Sequence, residues 1–221
     1  MRFSFIGVIA MLSSIACGKP AVDFKSFPDP KIDIPGGGAE LRKIVLAGGC
    51  FWCTEGVFEQ IPGVIDVVSG YAGGTAETAN YERVSSGDTA HAEVIEVTYD
   101  PNQVTFGRLL KFFFAVAHDP TTLNRQGPDT GTQYRSAIFY LTEEEKRVAE
   151  AYIKQLDDAG IFAAPIVTKV EKLAAFYPAE DYHQDFVRNN PKQGYVVQQA
   201  LPKIAKAKKA VAEESATTQP K

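Results

Sequence analysis

The sequence predicts an α+β fold: a two-layer α/β sandwich in which helices flank a mixed β-sheet. Strand-like and helix-like segments alternate irregularly along residues 40–200, which favours such a sandwich over a barrel. The sequence contains no internal repeat. The chain has 221 residues, of which 45% are hydrophobic and 23% are charged, so its size and composition are those of one globular domain with a single core.

Each predicted element has its own sequence signal. The strands are short apolar or β-branched runs, and residues 92–99 alternate apolar and polar side chains as a half-buried strand does. The helices lie between turn signals such as Pro62-Gly63, and residues 142–145 form a capping box. In chain order the prediction is strand 43–47, helix 51–60, strand 64–71, strand 92–99, helix 105–117, strand 136–141, helix 142–158, strand 166–170 and helix 180–189.

The first 17 residues have the layout of a secretory signal peptide. A positive start precedes an apolar run at residues 3–12, which is shorter than the ~20 residues that span a bilayer, and small residues lead to Cys17. A cysteine directly after a small residue is typical of bacterial lipoproteins, although Ser14 stands where such sites usually carry an aliphatic residue. We expect Cys17 to be lipidated, and the protein to be exported to the periplasm or cell envelope as a membrane-anchored lipoprotein. A secreted protein without the lipid and a cytoplasmic protein are the alternatives.

The rest of the chain divides into three parts by composition. Residues 18–39 hold four prolines and the run Gly36-Gly37-Gly38, which predicts a tether. Residues 40–200 form the predicted folded domain. Residues 201–221 are rich in alanine and lysine and then polar, which predicts a frayed helix or a disordered tail.

Charge and motif content exclude several classes of protein. The formal net charge is −4, whereas nucleic-acid binders usually carry a basic excess. Residues 36–38 lack the spacing of a phosphate loop or a dinucleotide fingerprint. Zinc needs about four ligands, but the three histidines are isolated and there is no second C-x-x-C pair. We therefore expect no nucleic acid, no cofactor and no metal, and we expect a monomer.

The candidate reactive site is the run Gly48-Gly49-Cys50-Phe51-Trp52-Cys53, which joins a predicted strand to a predicted helix. The start of a helix carries partial positive charge, so we expect the pKa of Cys50 to be lowered and its thiolate to be reactive. The alternative is a small buried cysteine at a helix cap. The C-x-x-C spacing itself is compatible with a redox dithiol, half of a zinc site, or coincidence.

Several short blocks of sequence follow one another over most of residues 42–196. The blocks are Gly49-Cys50-Phe51-Trp52, Val68-Ser69-Gly70-Tyr71-Ala72-Gly73-Gly74, Asn80-Tyr81, Ser86-Gly87-Asp88-Thr89-Ala90-His91-Ala92-Glu93, Val97-Thr98-Tyr99-Asp100-Pro101, His118-Asp119-Pro120, Arg125-Gln126-Gly127, Asp129-Thr130-Gly131-Thr132-Gln133-Tyr134-Arg135-Ser136 and Ala179-Glu180-Asp181-Tyr182-His183-Gln184. In this order they resemble the A-type peptide methionine sulfoxide reductases. The resemblance implies a ferredoxin-like plait at the core of the sheet.

The resemblance implies a reaction and the residues that perform it. Cys50 corresponds to the family's nucleophile, Glu93 to its acid, and Tyr81 and Tyr134 to the tyrosines that hold the sulfoxide oxygen. Thiolate attack on the sulfoxide sulfur would give a sulfenic acid and methionine, and Glu93 would donate a proton if burial raises its pKa. The alternatives are that Glu93 is a solvated strand residue like Glu96, and that the two tyrosines belong to the core.

The resemblance also implies a binding pocket for the substrate. Phe51 and Trp52 would surround the methyl group, and Asp129 would lie beside the substrate and orient the tyrosine region. Asp129 has the alternative role of bracing a glycine-rich loop. We expect Tyr182 and His183 to brace the site rather than to react.

The chain departs from many family members because no cysteine follows Cys53. We hypothesise that Cys53 resolves the Cys50 sulfenic acid and that a thioredoxin-like partner reduces the disulfide; direct reduction by an external thiol is the alternative. The resemblance implies oxidised proteins or peptides as substrates, with free methionine sulfoxide as a further candidate, and selectivity for the S epimer. Two other classes remain open: a thiol–disulfide exchange protein and a lipid-tethered binding protein.

Overall fold

The computed structural model describes residues 23–218, in which six strands form one mixed sheet and two very short strands pair with each other apart from it. The order across the large sheet is β7-β6-β1-β3-β2-β8, and neighbours are antiparallel except for the parallel pair β6–β7. The strands are β1 (Arg42–Gly48), β2 (Val64–Ala72), β3 (Ala92–Tyr99), β4 (Arg125–Gln126), β5 (Asp129–Thr130), β6 (Ser136–Tyr140), β7 (Lys169–Lys172) and β8 (Phe176–Pro178).

The helices differ widely in length. They are α1 (Phe51–Phe58), α2 (Tyr81–Ser85), α3 (Phe106–Phe112), α4 (Glu143–Asp158), α5 (Phe186–Asn189) and α6 (Leu201–Thr218). A π-helical turn, Phe113–Ala117, continues α3, and another, Val196–Ala200, leads into α6. The predicted capping box is present at the start of α4, where Thr142 and Glu145 exchange side-chain and backbone hydrogen bonds.

The predicted fold class is confirmed. In chain order β1-α1-β2-β3-α3-β6 is a β-α-β-β-α-β unit, and its strands lie in the order β6-β1-β3-β2 with every neighbour antiparallel. This is the ferredoxin-like plait. β7 and β8 extend the plait at its two edges.

The central strand β1 is buried on both faces, and its side chains alternate between two clusters. Ile44 and Leu46 point into the main core beneath the helices, whereas Val45 and Ala47 belong to a smaller, alanine-rich cluster on the opposite face. The helix α1 packs on β2 and β3 and contacts α6. The N-terminus of α1, which holds the predicted site, is therefore fixed by the sheet below it and by α6 beside it.

Of the two alternatives predicted for residues 201–221, a frayed helix or a disordered tail, the disordered tail is wrong for the residues that the structure describes. Residues 201–218 form α6, and Ile204, Ala207 and Ala210 lie buried along one face of it. Ile204 packs so closely on Gly56 of α1 that a Cβ at Gly56 would lie 2.6 Å from its Cδ1. The alanines that suggested low complexity are the residues that allow this helix to approach the core, because their side chains need little space.

The tether prediction for residues 18–39 also needs correction. Phe24 and Phe27 are buried, and the Phe24 ring lies 4.5 Å from that of Phe112 in α3. Lys111 forms an ion pair with Asp29 at 2.8 Å. Two phenylalanines bury enough apolar surface to hold a proline-rich segment against the domain. Cys17 and the rest of the predicted signal peptide lie outside the described residues.

Smaller differences concern element boundaries. The strand predicted at 166–170 is found at 169–172, and the helix predicted at 180–189 is a 3-10 turn, Asp181–His183, followed by α5. The sequence did not indicate α2 or β8. Among residues 23–218, no helix combines the length and the hydropathy that crossing a bilayer requires.

Candidate active site

The turn between β1 and α1 is shaped by two glycines. Gly49 has φ +88°, a conformation that favours glycine, and a Cβ there would lie 2.6 Å from the side chain of Gln126. A Cβ on Gly48 would lie 2.9 Å from Thr54. The tight turn places Cys50 at the N-cap of α1, as the sequence predicted.

Cys50 lines a cavity of about 160 Å³. The cavity brings together the seven residues that the sequence placed in the catalytic and substrate-binding sets, and it adds one that the sequence did not indicate. The lining residues are Cys50, Phe51, Trp52, Tyr81, Glu93, Asp129, Tyr134 and Tyr195. They come from α1, α2, β3, β5, the turn before β6, and the segment before α6.

Glu93 is a buried carboxyl group that faces the cavity. It lies on β3 opposite Tyr71 of β2, is only 2% exposed, and accepts a hydrogen bond at 3.0 Å from the backbone N–H of Phe51. Burial raises its pKa to about 8, and the bond from Phe51 offsets only part of that rise. Glu93 therefore carries a proton at neutral pH. Glu96, on the same strand, instead forms an ion pair with Lys43 at 2.6 Å.

The two thiols form one hydrogen-bonded pair. Burial raises the pKa of Cys50, and the bond with Cys53 and the charge that Glu93 carries once it is ionised add to this rise, whereas a hydrogen bond with Tyr195 offsets a smaller part of it. The expected lowering of the Cys50 pKa at the helix start is therefore not found, because the loss of water outweighs the effect of the helix, whose first N–H is taken by Glu93. The pKa of Cys53 is lowered, first by its hydrogen bond with Cys50.

Aromatic rings form the wall of the cavity next to Cys50. Trp52 stacks on Phe186, with ring centroids 3.7 Å apart, and its indole N–H donates to Nδ1 of His183 at 3.1 Å. His183 is thereby a hydrogen-bond acceptor at Nδ1 and fixes the orientation of the indole, which agrees with its predicted bracing role. Tyr182 is 61% exposed and does not line the cavity.

The two predicted tyrosines enter the cavity from different elements: Tyr81 begins α2, and Tyr134 lies in the turn before β6. Glu180 accepts a hydrogen bond from the backbone N–H of Tyr81 and another from the hydroxyl of Tyr71, both at 2.9 Å, and this holds the start of α2 in place. Burial raises the pKa of both Tyr81 and Tyr134. Both phenols are therefore neutral hydrogen-bond donors, suited to hold a polar oxygen.

Tyr195 is the residue that sequence reasoning missed. Its hydroxyl donates to Asp129 Oδ2 at 2.5 Å and accepts a hydrogen bond from the Cys53 thiol at 3.9 Å. Asp129 therefore orients a tyrosine, but one from the C-terminal segment. Tyr195 lies 142 residues after Cys53, and no local pattern connects the two positions.

Within residues 23–218, no group of three or more histidine, cysteine, aspartate or glutamate side chains is arranged to hold a metal ion.

Comparisons with known proteins agree with this geometry. A family model described as peptide methionine sulfoxide reductase matches residues 42–216. The chain belongs to this family. The match confirms the resemblance found in the sequence and extends beyond residue 200 to include most of α6.

Individual relatives give the same assignment. The chain is 57% identical over 185 residues to peptide methionine sulfoxide reductase MsrA 2 of Synechocystis sp., a match that covers 82% of this chain and 86% of that protein. It is 52% identical over 169 residues to peptide methionine sulfoxide reductase MsrA of Deinococcus radiodurans, covering 76% and 82% of the two chains.

Solved structures share the fold. Mxr1 of Saccharomyces cerevisiae in reduced form has a TM-score of 0.64 at 39% identity, over 72% of this chain and 91% of that chain. Methionine sulfoxide reductase A of Corynebacterium diphtheriae has a TM-score of 0.61 at 35% identity, over 78% and 92%. The predicted enzyme class is thus confirmed: the chain is an oxidoreductase of the methionine sulfoxide reductase type.

Proposed function

We propose that this enzyme reduces methionine-S-sulfoxide in oxidised proteins and peptides, with Cys50 as the nucleophile and Glu93 as the acid. One observation carries the residue assignment: a cavity closed by aromatic rings places the Cys50 thiol beside a carboxyl group that holds a proton at neutral pH. A thiol–disulfide exchange protein or a binding protein has no use for that proton.

The reaction follows from these groups. The Cys50 thiolate attacks the sulfoxide sulfur while Glu93 gives its proton to the oxygen. The oxygen ends on the Cys50 sulfur as a sulfenic acid, and methionine leaves. The substrate sulfur gains two electrons and the Cys50 sulfur loses two. The neutral hydroxyl groups of Tyr81 and Tyr134 hold the oxygen during the transfer.

The size of the cavity supports a side chain as the bound group. A cavity of about 160 Å³ is of a size suited to a single side chain, so we place the methyl sulfoxide end of methionine in it. Phe51 and Trp52 provide aromatic faces for the methyl group and the polarised sulfur. The backbone of the substrate stays outside, so free methionine sulfoxide and oxidised protein can present the same group. Selectivity for the S epimer belongs to the proposal because each epimer has its own class of enzyme.

Recycling is proposed to use Cys53. Its sulfur is hydrogen-bonded to Cys50, so attack on the sulfenic acid needs little movement within α1. The resulting Cys50–Cys53 disulfide would be reduced by a thioredoxin-like dithiol protein, which is the proposed partner.

A single-turnover experiment tests this sequence of steps. The reduced protein is mixed with excess methionine-S-sulfoxide without reductant, quenched in acid, alkylated and analysed by mass spectrometry. We expect one methionine per protein and a disulfide between Cys50 and Cys53. Cys53→Ser should release the same amount of methionine and stop at a sulfenic acid. Methionine release from wild type with both thiols still free would contradict the mechanism, and a persistent wild-type sulfenic acid would refute the role of Cys53.

The proposal includes a cell-envelope location. Its support is the sequence of residues 1–17 alone, which lie outside the described residues. The intact mass of the protein extracted from membranes tests it: we expect a diacylglyceryl or triacyl addition on Cys17 as the first residue. A chain that keeps residues 1–16 would contradict it.

A further inference from the structure

We propose that Tyr195 and Asp129 form a proton relay that deprotonates Cys53 as it attacks the Cys50 sulfenic acid. This inference rests on the proposed function, in which Cys53 is the resolving thiol. It gives a chemical role to Tyr195 and Asp129, the two cavity residues to which the steps proposed above assign none.

The relay is a chain of two hydrogen bonds that starts at the attacking atom. The Cys53 thiol donates to the Tyr195 hydroxyl at 3.9 Å, and that hydroxyl donates to Asp129 Oδ2 at 2.5 Å. The Tyr195 ring is held edge-on to Trp52, with centroids 5.9 Å apart. The next residue, Val196, is fully buried, and its backbone N–H donates to Gln193 at 2.8 Å. The hydroxyl is therefore held between the thiol and the carboxylate.

Cys53 needs such a relay because water does not reach it. Its side chain is 1% exposed, so its proton has no direct path to solvent. Two carboxyl groups line the cavity, and one of them, Glu93, already holds a proton at neutral pH. Asp129 is the remaining acceptor, and Tyr195 is the group that connects it to Cys53.

Burial raises the pKa of Tyr195, so a free tyrosinate is unfavourable in this position. The two protons therefore move together: the hydroxyl oxygen takes the proton from Cys53 while it gives its own proton to Asp129. The Tyr195 side chain stays neutral throughout.

The step balances in atoms and electrons. The Cys53 sulfur forms a bond to the Cys50 sulfur, and the bond between the Cys50 sulfur and oxygen breaks. Glu93, which gave its proton to the sulfoxide oxygen in the first half of the reaction, regains one from solvent through the cavity, since its pKa is about 8. The leaving hydroxyl takes this proton and departs as water, and the proton of Cys53 ends on Asp129. Relative to the sulfenic acid and the free thiol, the Cys50 sulfur gains one electron and the Cys53 sulfur loses one, so the two sulfurs share the oxidation as a disulfide.

The experiment measures the two halves of the reaction, methionine release and disulfide formation, separately in the variant Tyr195→Phe. Reduced enzyme is mixed rapidly with excess sulfoxide and quenched over time, and methionine and the Cys50–Cys53 disulfide are measured in the same samples. We expect disulfide formation to slow by about 100-fold, the size typical of a lost general base. Methionine release should slow several-fold at most, because the phenyl ring still closes the cavity.

A pH series and two further variants make the test specific. Without the relay, Cys53 must lose its proton to hydroxide, so the disulfide rate of Tyr195→Phe should rise about tenfold per pH unit. Asp129→Asn keeps an oxygen that can accept from Tyr195 but cannot take up a proton, so it should also slow disulfide formation by about 100-fold. Tyr182→Phe removes a hydroxyl from an exposed neighbouring tyrosine and serves as the matched control, with both rates as in wild type.

Each contrary result has its own meaning. Wild-type disulfide formation in Tyr195→Phe overturns the relay, and so does an equal loss in both halves of the reaction, which would indicate a purely structural role. If the wild-type enzyme releases methionine but forms no Cys50–Cys53 disulfide, the resolving role in the proposed function fails, and the relay fails with it.

Discussion

Replacement of Cys50 by serine is expected to abolish the formation of methionine from methionine sulfoxide, with a loss on the order of 10⁴-fold or more. A serine hydroxyl in the same position is far less acidic than a thiol, and it has no base beside it, because Glu93 is protonated. The measurement is turnover of dabsyl-methionine sulfoxide with dithiothreitol as the reductant.

Cys53→Ser is the matched control for this variant, because it makes the same atomic change three residues away in the same helix. Dithiothreitol can reduce a sulfenic acid directly, so Cys53→Ser should keep turning over. Residual activity of Cys50→Ser comparable to that of Cys53→Ser would show that the nucleophile lies elsewhere.

Glu93→Gln is expected to lower kcat/KM by about 10²–10³-fold at neutral pH, which is within the range for loss of a general acid. It should also change the pH profile. In wild type, the thiolate fraction of Cys50 rises tenfold per pH unit while Glu93 stays protonated. Above about pH 8, the pKa of Glu93, each further gain in thiolate is offset by loss of the acid, so log kcat/KM should level off.

The variant should lack this break. Glutamine can still accept the hydrogen bond from the backbone of Phe51 but has no proton to give, so kcat/KM should keep rising until Cys50 itself titrates. The check is kcat/KM from pH 6 to 10 for both proteins. A wild-type profile that rises through pH 8 without a break, or a variant that keeps the break, would refute the acid role of Glu93.

Sequence reasoning located most of the cavity because its residues lie in short, recognisable blocks. It could not decide whether Glu93 faces the interior. Glu93 and Glu96 lie on opposite faces of the same predicted strand, and the sequence does not say which face meets the cavity. The register of β2 and β3, which sets Glu93 opposite Tyr71, decides this, and register depends on pairing between distant segments. The raised pKa of Cys50 was missed for a related reason: a helix start can be read from sequence, but the depth of burial cannot.

The two ends of the chain were misjudged because composition does not report tertiary contacts. The Ala/Lys-rich segment reads as low complexity, yet α6 places its alanines and Ile204 against the core and thereby sets the position of Tyr195. The proline-rich segment before β1 likewise contains Phe24 and Phe27, which are buried in the same core cluster as the residues of α3. Both segments gain their order from the domain, not from local propensity.

The unequal exposure of the two sulfurs determines how the oxidised enzyme can be regenerated. Cys53 is 1% exposed and hydrogen-bonded to Tyr195, whereas Cys50 is 8% exposed and lines the cavity proposed for methionine sulfoxide. We therefore expect an incoming dithiol to attack the Cys50 sulfur by way of the same cavity. Sulfoxide and reductant would then compete for one site, and we expect ping-pong kinetics with inhibition at high sulfoxide concentrations.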